Sequence, residues 1–252
     1  MVGAFRLGLM ALGLLFLTLI VAKAPAGLIA AGLSHAGPGL SFSSVNGTLW
    51  QGTVSDVVVG QLPVGRIVYK LRPLSVLTLS PALNLTLSQG AIGGQIPVQL
   101  SRQQVRIGTG TLTVRLDAIS QTRALGVPVT GAVEVAIDRL VFSPRDGCLD
   151  GALTLTTDFL KAPAARWGAQ GFDMAGPGAC EDGGLYVNLS GAGPDAEADL
   201  ALTMRQDFSF AVDVAVKPGR GEVRQALELI GFQPAGGALT YSARGALRNV
   251  SL

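Results

Sequence analysis

The chain of 252 residues combines a low charged fraction, 14%, and a formal net charge of +2 with 34 glycines and a single histidine. Nucleic acid is excluded as a partner, because the chain lacks the clustered basic face with aromatic side chains that nucleic-acid binding requires. Catalysis by a Ser-His-Asp or Cys-His arrangement is also excluded, because His35 lies beside the N-terminal apolar segment, away from the body of the chain.

The first predicted element is an uninterrupted apolar run from Leu7 to Ala22, with Arg6 before it and Lys23 after it. As a helix, its 16 residues would span about 24 Å, slightly less than the ~30 Å hydrocarbon core of a bilayer. The two flanking charges can reach the membrane interfaces while their stems extend the apolar length. The run is therefore either a single membrane anchor or the hydrophobic part of a signal peptide.

We predict that this apolar run is not cleaved and stays part of the mature protein. Ala22-Lys23-Ala24 resembles a signal-peptidase site, but the next residue would be Pro25, which stiffens the chain there. We therefore expect residues 1–24 to form a membrane anchor. Because Arg6 and the amino terminus precede the run, the N-terminus should remain cytoplasmic and the bulk of the chain should be periplasmic. The protein would then cross its membrane once. A cleaved signal peptide is the alternative.

Residues 25–40 are rich in glycine and proline and predict a spacer, and residues 41–252 predict a periplasmic β domain. In this domain apolar and polar residues alternate, as where Leu83, Leu85 and Leu87 are interleaved with polar side chains. Strict alternation is typical of half-buried antiparallel strands. The segments with this pattern are residues 83–88, 111–117, 133–137, 153–155, 185–189, 197–205 and 207–217.

The predicted fold class is all-β: an N-terminal single transmembrane helix followed by a large, strongly curved, mostly antiparallel sheet. About a dozen strands with one apolar face cannot remain flat and open, so the sheet must curl or split into a sandwich. Glycines at residues 90–94 suit a bend or bulge in such a sheet. Residues 222–230 instead keep apolar positions at helical spacing and predict one short amphipathic helix near the C-terminus.

The two cysteines, Cys148 and Cys180, both fall in the exported part of the chain. In an oxidising periplasm they predict a disulfide, whose loop of about 33 residues would contribute roughly 3–4 kcal/mol. Two unpaired buried thiols are the alternative.

Carboxylates gather around these cysteines in an otherwise uneven charge distribution. Residues 1–120 hold 8 Lys/Arg against 2 Asp/Glu, and the remainder holds 11 against 15. A disulfide would bring four acidic side chains near one another, where they could attract a cation or simply be solvated turn residues: Asp146, Asp150, Glu181 and Asp182. No calcium loop, P-loop or nucleophile motif is present, so we predict no catalytic residue, metal, cofactor or enzymatic activity.

The most conspicuous local string is Gly47-Thr48-Leu49-Trp50-Gln51-Gly52, in which one of two tryptophans stands between glycines. We expect the ring of Trp50 in the apolar layer of the sheet, with Gly47 and Gly52 leaving room for neighbouring backbone. The alternative role, docking of a partner, requires Trp50 to be exposed.

In this position, after an apolar segment and a spacer, the string resembles protein N of the bacterial type II secretion system (GspN family). The similarity continues through residues 62–73, although Tyr69 stands where the family often has Trp, and through residues 227–232, 236–237 and 245–247. The resemblance implies a non-enzymatic inner-membrane component with a periplasmic domain that takes part in protein export across the outer membrane. Its partners would be inner-membrane assembly subunits or the outer-membrane secretin.

A second hypothesis is an anchored periplasmic lipid-binding or lipid-transfer module, similar in design to AsmA or TamB, with lipid as a partner. In such a module the apolar side of the sheet would form an open groove. The groove would be lined by Leu83, Leu112, Val135, Leu202 and Phe210. A sandwich with these residues in mutual contact would instead favour the secretion subunit.

Overall fold

The structure is a computed structural model that describes residues 23–27, 40–60, 62–118, 123–124, 127–128, 130–166, 168–207 and 209–246. The predicted transmembrane helix, with its boundaries Leu7 and Ala22 and the flanking Arg6, lies outside the described residues, as does most of the spacer. Within the described ranges, no helix is both long enough and apolar enough to cross a membrane.

Most described residues belong to β-strands. The first ten strands are β1 (Leu40–Ser41), β2 (Ser44–Gly47), β3 (Gln51–Val59), β4 (Leu62–Leu71), β5 (Ala82–Ser88), β6 (Ile92–Leu100), β7 (Val105–Ile107), β8 (Gly110–Arg115), β9 (Arg123–Ala124) and β10 (Val127–Pro128). The other eight are β11 (Ala132–Ser143), β12 (Gly147–Thr157), β13 (Met174–Glu181), β14 (Gly184–Ala192), β15 (Ala196–Met204), β16 (Ser209–Pro218), β17 (Gln233–Ala235) and β18 (Ala238–Ala246).

Helices are few and short. They are α1 (Pro73–Leu77), α2 (Lys161–Arg166), α3 (Gly221–Leu229) and a 3-10 turn at Leu116–Ala118. The helix predicted at residues 222–230 is confirmed as α3. Helices α1 and α2 were not expected from the sequence, because five or six residues are too short to show a helical period. Helix α1 begins with Pro73, a residue whose fixed φ suits the first helical turn.

Sixteen strands form one sheet, and their pairing is antiparallel throughout. The order across the sheet is β1-β3-β4-β5-β6-β7-β11-β12-β13-β14-β15-β16-β18-β17, with β2 beside β3 and β8 between β6 and β11. Strands β9 and β10 form a separate hairpin. The predicted mostly antiparallel sheet is therefore confirmed, and the sixteen paired strands form a single sheet.

One face of this sheet is apolar from β3 to β18, because the register aligns apolar residues and glycines on neighbouring strands. Leu112 pairs with Val135, and Val135 pairs with Leu155. The complete row is Val54, Ile67, Leu87, Gly94, Leu112, Val135, Leu155, Gly176, Leu189, Leu200, Val214 and Tyr241. The opposite face carries polar residues such as Glu134, Asn188 and Asp199.

Buried side chains form two clusters on the apolar face. We call the first the large core, which contains Ile137, Leu140, Cys148, Leu153, Met174, Val187, Leu189, Ala198, Val216, Phe232 and Leu239. The second, the small core, contains Val54, Val57, Val64 and Tyr69. Leu227 and Ile230 bring α3 and the residue after it onto the large core. The small core lies beside the Gly47–Gly52 turn.

Candidate interaction surfaces

The turn that joins β2 to β3 contains the conspicuous glycine-tryptophan string. Its ends are tied by the Thr48 amide, which donates to the Gln51 carbonyl oxygen at 2.8 Å. The hydroxyl of Thr48 lies 3.3 Å from each of the Trp50 and Gln51 amides, which donate to it. A short polar side chain that accepts from the following backbone in this way is a common turn device. Thr48 therefore holds the turn from both its main chain and its side chain.

Gly52 leaves room for Tyr69, which pairs with it on β4. A Cβ atom on Gly52 would lie 2.5 Å from the Tyr69 hydroxyl oxygen and 2.8 Å from Cζ of its ring. Tyr69 is 7% exposed, and its hydroxyl donates to the Thr48 carbonyl oxygen at 2.7 Å. Burial raises the pKa of the Tyr69 hydroxyl, so this group remains a donor. The glycine thus allows the tyrosine to lock the turn onto the small core.

The same turn binds the segment that follows the N-terminal apolar run. The Leu49 amide donates to the Ala24 carbonyl oxygen at 2.8 Å, and the Ala26 amide donates to the Gly47 carbonyl oxygen at 3.2 Å. Pro25 forms an isolated bridge with Thr48 between them. Ala26 is only 2% exposed. The chain directly after residue 22 is therefore part of the folded sheet.

Trp50 is half-buried and lies just before β3. Its carbonyl oxygen accepts from the Leu71 amide at 2.7 Å, which fixes its backbone against the end of β4. The apolar-layer role and the docking role of Trp50 both remain predictions. The roles of Gly47, Thr48, Leu49 and Gly52 are clearer as backbone and packing contacts, with Gly47 at a φ of +114° that favours glycine.

The predicted disulfide is present between Cys148 and Cys180, whose Cα atoms lie 5.3 Å apart. It joins β12 to β13 close to three hairpin tips on one edge of the sheet. The Cys148 amide donates to the Gly183 carbonyl oxygen at 3.0 Å, and the Gln206 side chain donates to the Pro144 carbonyl oxygen at 2.9 Å. One covalent bond and two hydrogen bonds therefore hold this edge together.

The four carboxylates near the cysteines are not gathered into one group. Asp150 makes an ion pair with Arg139 at 2.7 Å, and both side chains are more than half exposed. Asp146 accepts from the Ser143 hydroxyl at 2.8 Å. Throughout the part of the chain that the structure describes, no group of three or more His, Cys, Asp or Glu side chains could hold a metal ion. These acidic residues have individual roles as turn and strand residues.

Asp195 is the buried carboxylate of the described residues. It accepts from the Gln170 amide at 2.7 Å and from Arg220 at 3.4 Å. The Gln170 amide is the main cause that lowers the pKa of Asp195, and Arg220 adds to it. The carboxylate thereby ties the loop after α2, the β14–β15 turn and the residue before α3. These contacts make Asp195 a structural clamp between the three segments.

Comparison with known families supplies the identification. The sequence profile of type II secretion system protein N matches residues 38–242, which include the Gly47–Gly52 turn, the disulfide and nearly all of the sheet. The chain belongs to this family. It is accordingly a component of the type II secretion system, as the resemblance in the sequence implied. Neither the curated proteins nor the solved structures contain a significant match.

Sequence reasoning singled out the Gly47–Gly52 string of this protein N and predicted its disulfide, but it missed one backbone contact of the turn and one exposed apolar surface. No side-chain pattern predicts the pairing of residues 24–26 with residues 47–49, because this pairing is made by backbone hydrogen bonds. The exposed apolar residues of α1 were missed with the helix itself. The excess of basic over acidic residues in the first half of the chain was an available signal, since it marks the surface around α1.

Proposed function

We propose that this protein is a non-enzymatic subunit of the type II secretion system, held in the bacterial inner membrane by residues 7–22. Its N-terminus lies in the cytoplasm and its β domain in the periplasm, where it contacts other secretion subunits in the inner membrane or the secretin in the outer membrane. The chain spans the membrane once. No catalytic chemistry is required of it.

The observation that carries this proposal is the pairing of residues 24–26 with the Gly47–Gly52 turn. A periplasmic domain that is joined to its anchor by a flexible linker would need no such contact. Here the carbonyl oxygen of Ala24, only two residues after the end of the apolar run at Ala22, already accepts from the Leu49 amide in the sheet. Removal of a signal peptide after Ala24 would separate that carbonyl from the domain, and the Leu49 amide would lose its partner. The fold therefore uses backbone that cleavage would discard, which supports an uncleaved anchor.

A lipid-handling role is the second candidate, supported by the continuous apolar row. The five residues expected to line a groove, Leu83, Leu112, Val135, Leu202 and Phe210, all lie on the same face of one sheet by register. Leu112 and Val135 touch as cross-strand neighbours rather than across two sheets. In this proposal the sheet curls about its apolar face, and the half-buried members of the row contact acyl chains.

One preparation tests both candidates: the full-length protein, purified in mild detergent from cells that express the secretion system. We expect intact mass spectrometry to show that Met1, with or without its formyl group, begins the chain. In membranes from the same cells, before detergent is added, the protein should resist carbonate extraction. Other secretion subunits should co-purify. A mature N-terminus at Pro25 would refute the anchor. Stoichiometric phospholipid without any secretion subunit would favour lipid handling over the proposed function.

A further inference from the structure

One edge of the sheet continues from the end of the apolar run to the end of β6. Leu49 donates to Ala24, and Leu71 donates to Trp50 at 2.7 Å. The Arg72 amide then donates to the Ala82 carbonyl oxygen at 2.8 Å, and the Leu100 amide donates to the Pro81 carbonyl oxygen at 2.9 Å. These residues lie at the ends of strands β3 to β6 and not along an outermost strand. We call residues 23–26, 48–50, 71–82 and 100–104 the anchor-side edge. Its backbone is one hydrogen-bonded series that starts beside the apolar run.

Exposed apolar side chains are concentrated on this edge. Leu74 is 78% exposed and Leu79 is 71% exposed, and Val76 and Leu100 are also exposed. The loop that contains α1, residues 72–82, holds Leu74, Val76 and Leu79 in place through Ser75, whose hydroxyl donates to the Arg72 carbonyl oxygen at 2.6 Å and accepts from the Ala82 amide at 2.7 Å. The loop is therefore a fixed apolar projection. Large exposed apolar groups on a folded surface mark a contact with a partner or a membrane.

The charges around this projection are of one sign. Lys23, Lys70, Arg72 and Arg102 are exposed, and in the described part of the chain none of them has a carboxylate within ion-pair distance. The sequence contains no Asp or Glu at all between residues 57 and 116. A surface with leucines at its centre and only lysine and arginine around them matches the acyl boundary and anionic headgroups of a bilayer.

We propose that the anchor-side edge lies on the periplasmic surface of the inner membrane, with Leu74 and Leu79 inserted among anionic phospholipids. This inference rests on the proposed anchor, because residues 24–26 place the edge directly after the apolar run. The two contacts together would hold the sheet at a fixed orientation to the bilayer. The β11–β12, β13–β14 and β15–β16 hairpin tips lie beyond this edge and carry Asp146, Asp182 and Asp207 beside Arg145 and Arg205, so they add no comparable excess of positive charge to the contact.

Leu229 supplies a matched control for this contact. It is 79% exposed, as much as Leu74, but it lies at the end of α3 on the opposite edge of the sheet. The strand pairing shows this placement. Helix α1 follows the end of β4 and α3 follows the end of β16, and β4 and β16 run in opposite directions in the sheet, so the two strands end on opposite sides of it. A membrane contact at the anchor-side edge should therefore protect Leu74 and leave Leu229 in water.

The experiment uses three single-cysteine labels on the full-length oxidised protein: Lys23→Cys, Leu74→Cys and Leu229→Cys. Each variant carries an environment-sensitive fluorophore and is reconstituted into nanodiscs of phosphatidylethanolamine and phosphatidylglycerol that contain a nitroxide-labelled lipid. We expect strong quenching at positions 23 and 74 and none at 229. In the Leu74→Cys background, Arg72→Gln should weaken the association of the edge about fivefold, equivalent to the ~1 kcal/mol that one basic residue contributes near an anionic surface.

The three positions separate the possible failures. Quenching at 23 without quenching at 74 would overturn the membrane contact and leave the anchor standing, and the apolar projection would then face a protein subunit. Absence of quenching at both positions would overturn the anchor and this inference together. Equal quenching at 74 and 229 would show nonspecific adsorption and would also reject the proposal.

Discussion

The contact between Gly52 and Tyr69 shows how one missing side chain fixes a turn. Tyr69 reaches over Gly52 to the Thr48 carbonyl oxygen, and the space that it occupies is the space where a Cβ atom would lie. The hydroxyl group of Tyr69 thereby joins the turn to the small core.

Gly52→Ala should destabilise the protein by about 1–3 kcal/mol, because the methyl group overlaps both the Asn46 carbonyl oxygen on β2 and the Tyr69 side chain and forces them to move. Tyr69→Phe should cost only about 1 kcal/mol, the value of one hydrogen bond. The double variant should cost less than the sum, since the alanine displaces a ring that no longer makes the bond. Thermal unfolding of full-length protein in detergent, followed by circular dichroism, measures each change.

Gly221→Ala is the control for this series, because a Cβ atom there meets nothing within 4 Å and the residue begins a helix. It should leave stability unchanged or raise it slightly. A full additive cost in the Gly52→Ala, Tyr69→Phe pair would show that the two residues act independently, contrary to the contact in the structure.

At the scale of elements, three hairpin tips depend on one another. The β11–β12, β13–β14 and β15–β16 turns meet through the disulfide, the Cys148–Gly183 hydrogen bond and Gln206. Consecutive hairpins of a meander already neighbour one another, so these contacts act on the tips, where strands would otherwise separate first. The disulfide is thus a clamp on an edge rather than a link between distant parts of the fold.

Replacing both cysteines by serine should lower the free energy of unfolding by roughly 3–4 kcal/mol, the loop-closure value for this separation. The oxidised wild-type protein should migrate faster than its reduced form in a denaturing gel, and the double variant should show one mobility under both conditions. Reduced wild-type protein is the control for the serine side chains. Titration of two free thiols in oxidised, unfolded protein would contradict the bridge.

The elements differ in how far the sequence could predict them. Strands such as β5 and β14 and the helix α3 follow from periods of two and of 3.6, which depend only on local spacing. Helices α1 and α2 are shorter than two turns, so no period could reveal them. The contact between residues 24–26 and the Gly47–Gly52 turn joins backbone groups more than twenty residues apart, and nothing in residue type specifies that pairing.

At the scale of the molecule, one sheet carries two cores of unequal size. Among the residues that the structure describes, the large core contains eleven buried residues, whereas the small core contains four. The large core also has the disulfide and α3 on its side. Strand β6 links the two regions, since it pairs with β5 on one side and with β7 and β8 on the other. Stability should therefore differ along a sheet that is continuous in its hydrogen bonds.

Native-state hydrogen exchange in increasing urea should open the sheet in two steps. Amides of β3–β5, which rest on the small core, should lose protection at lower urea than amides of β12–β16, because fewer buried apolar residues hold them. Replacement of both cysteines by serine should lower the opening free energy of β12–β16 and leave that of β3–β5 unchanged. The difference between the two opening free energies should therefore become smaller. Equal opening free energies in both regions of the wild-type protein would instead mean that β6 couples the cores into one cooperative unit. The N-terminal contact would then share the stability of the disulfide clamp, and the serine variant would weaken β3–β5 as much as β12–β16.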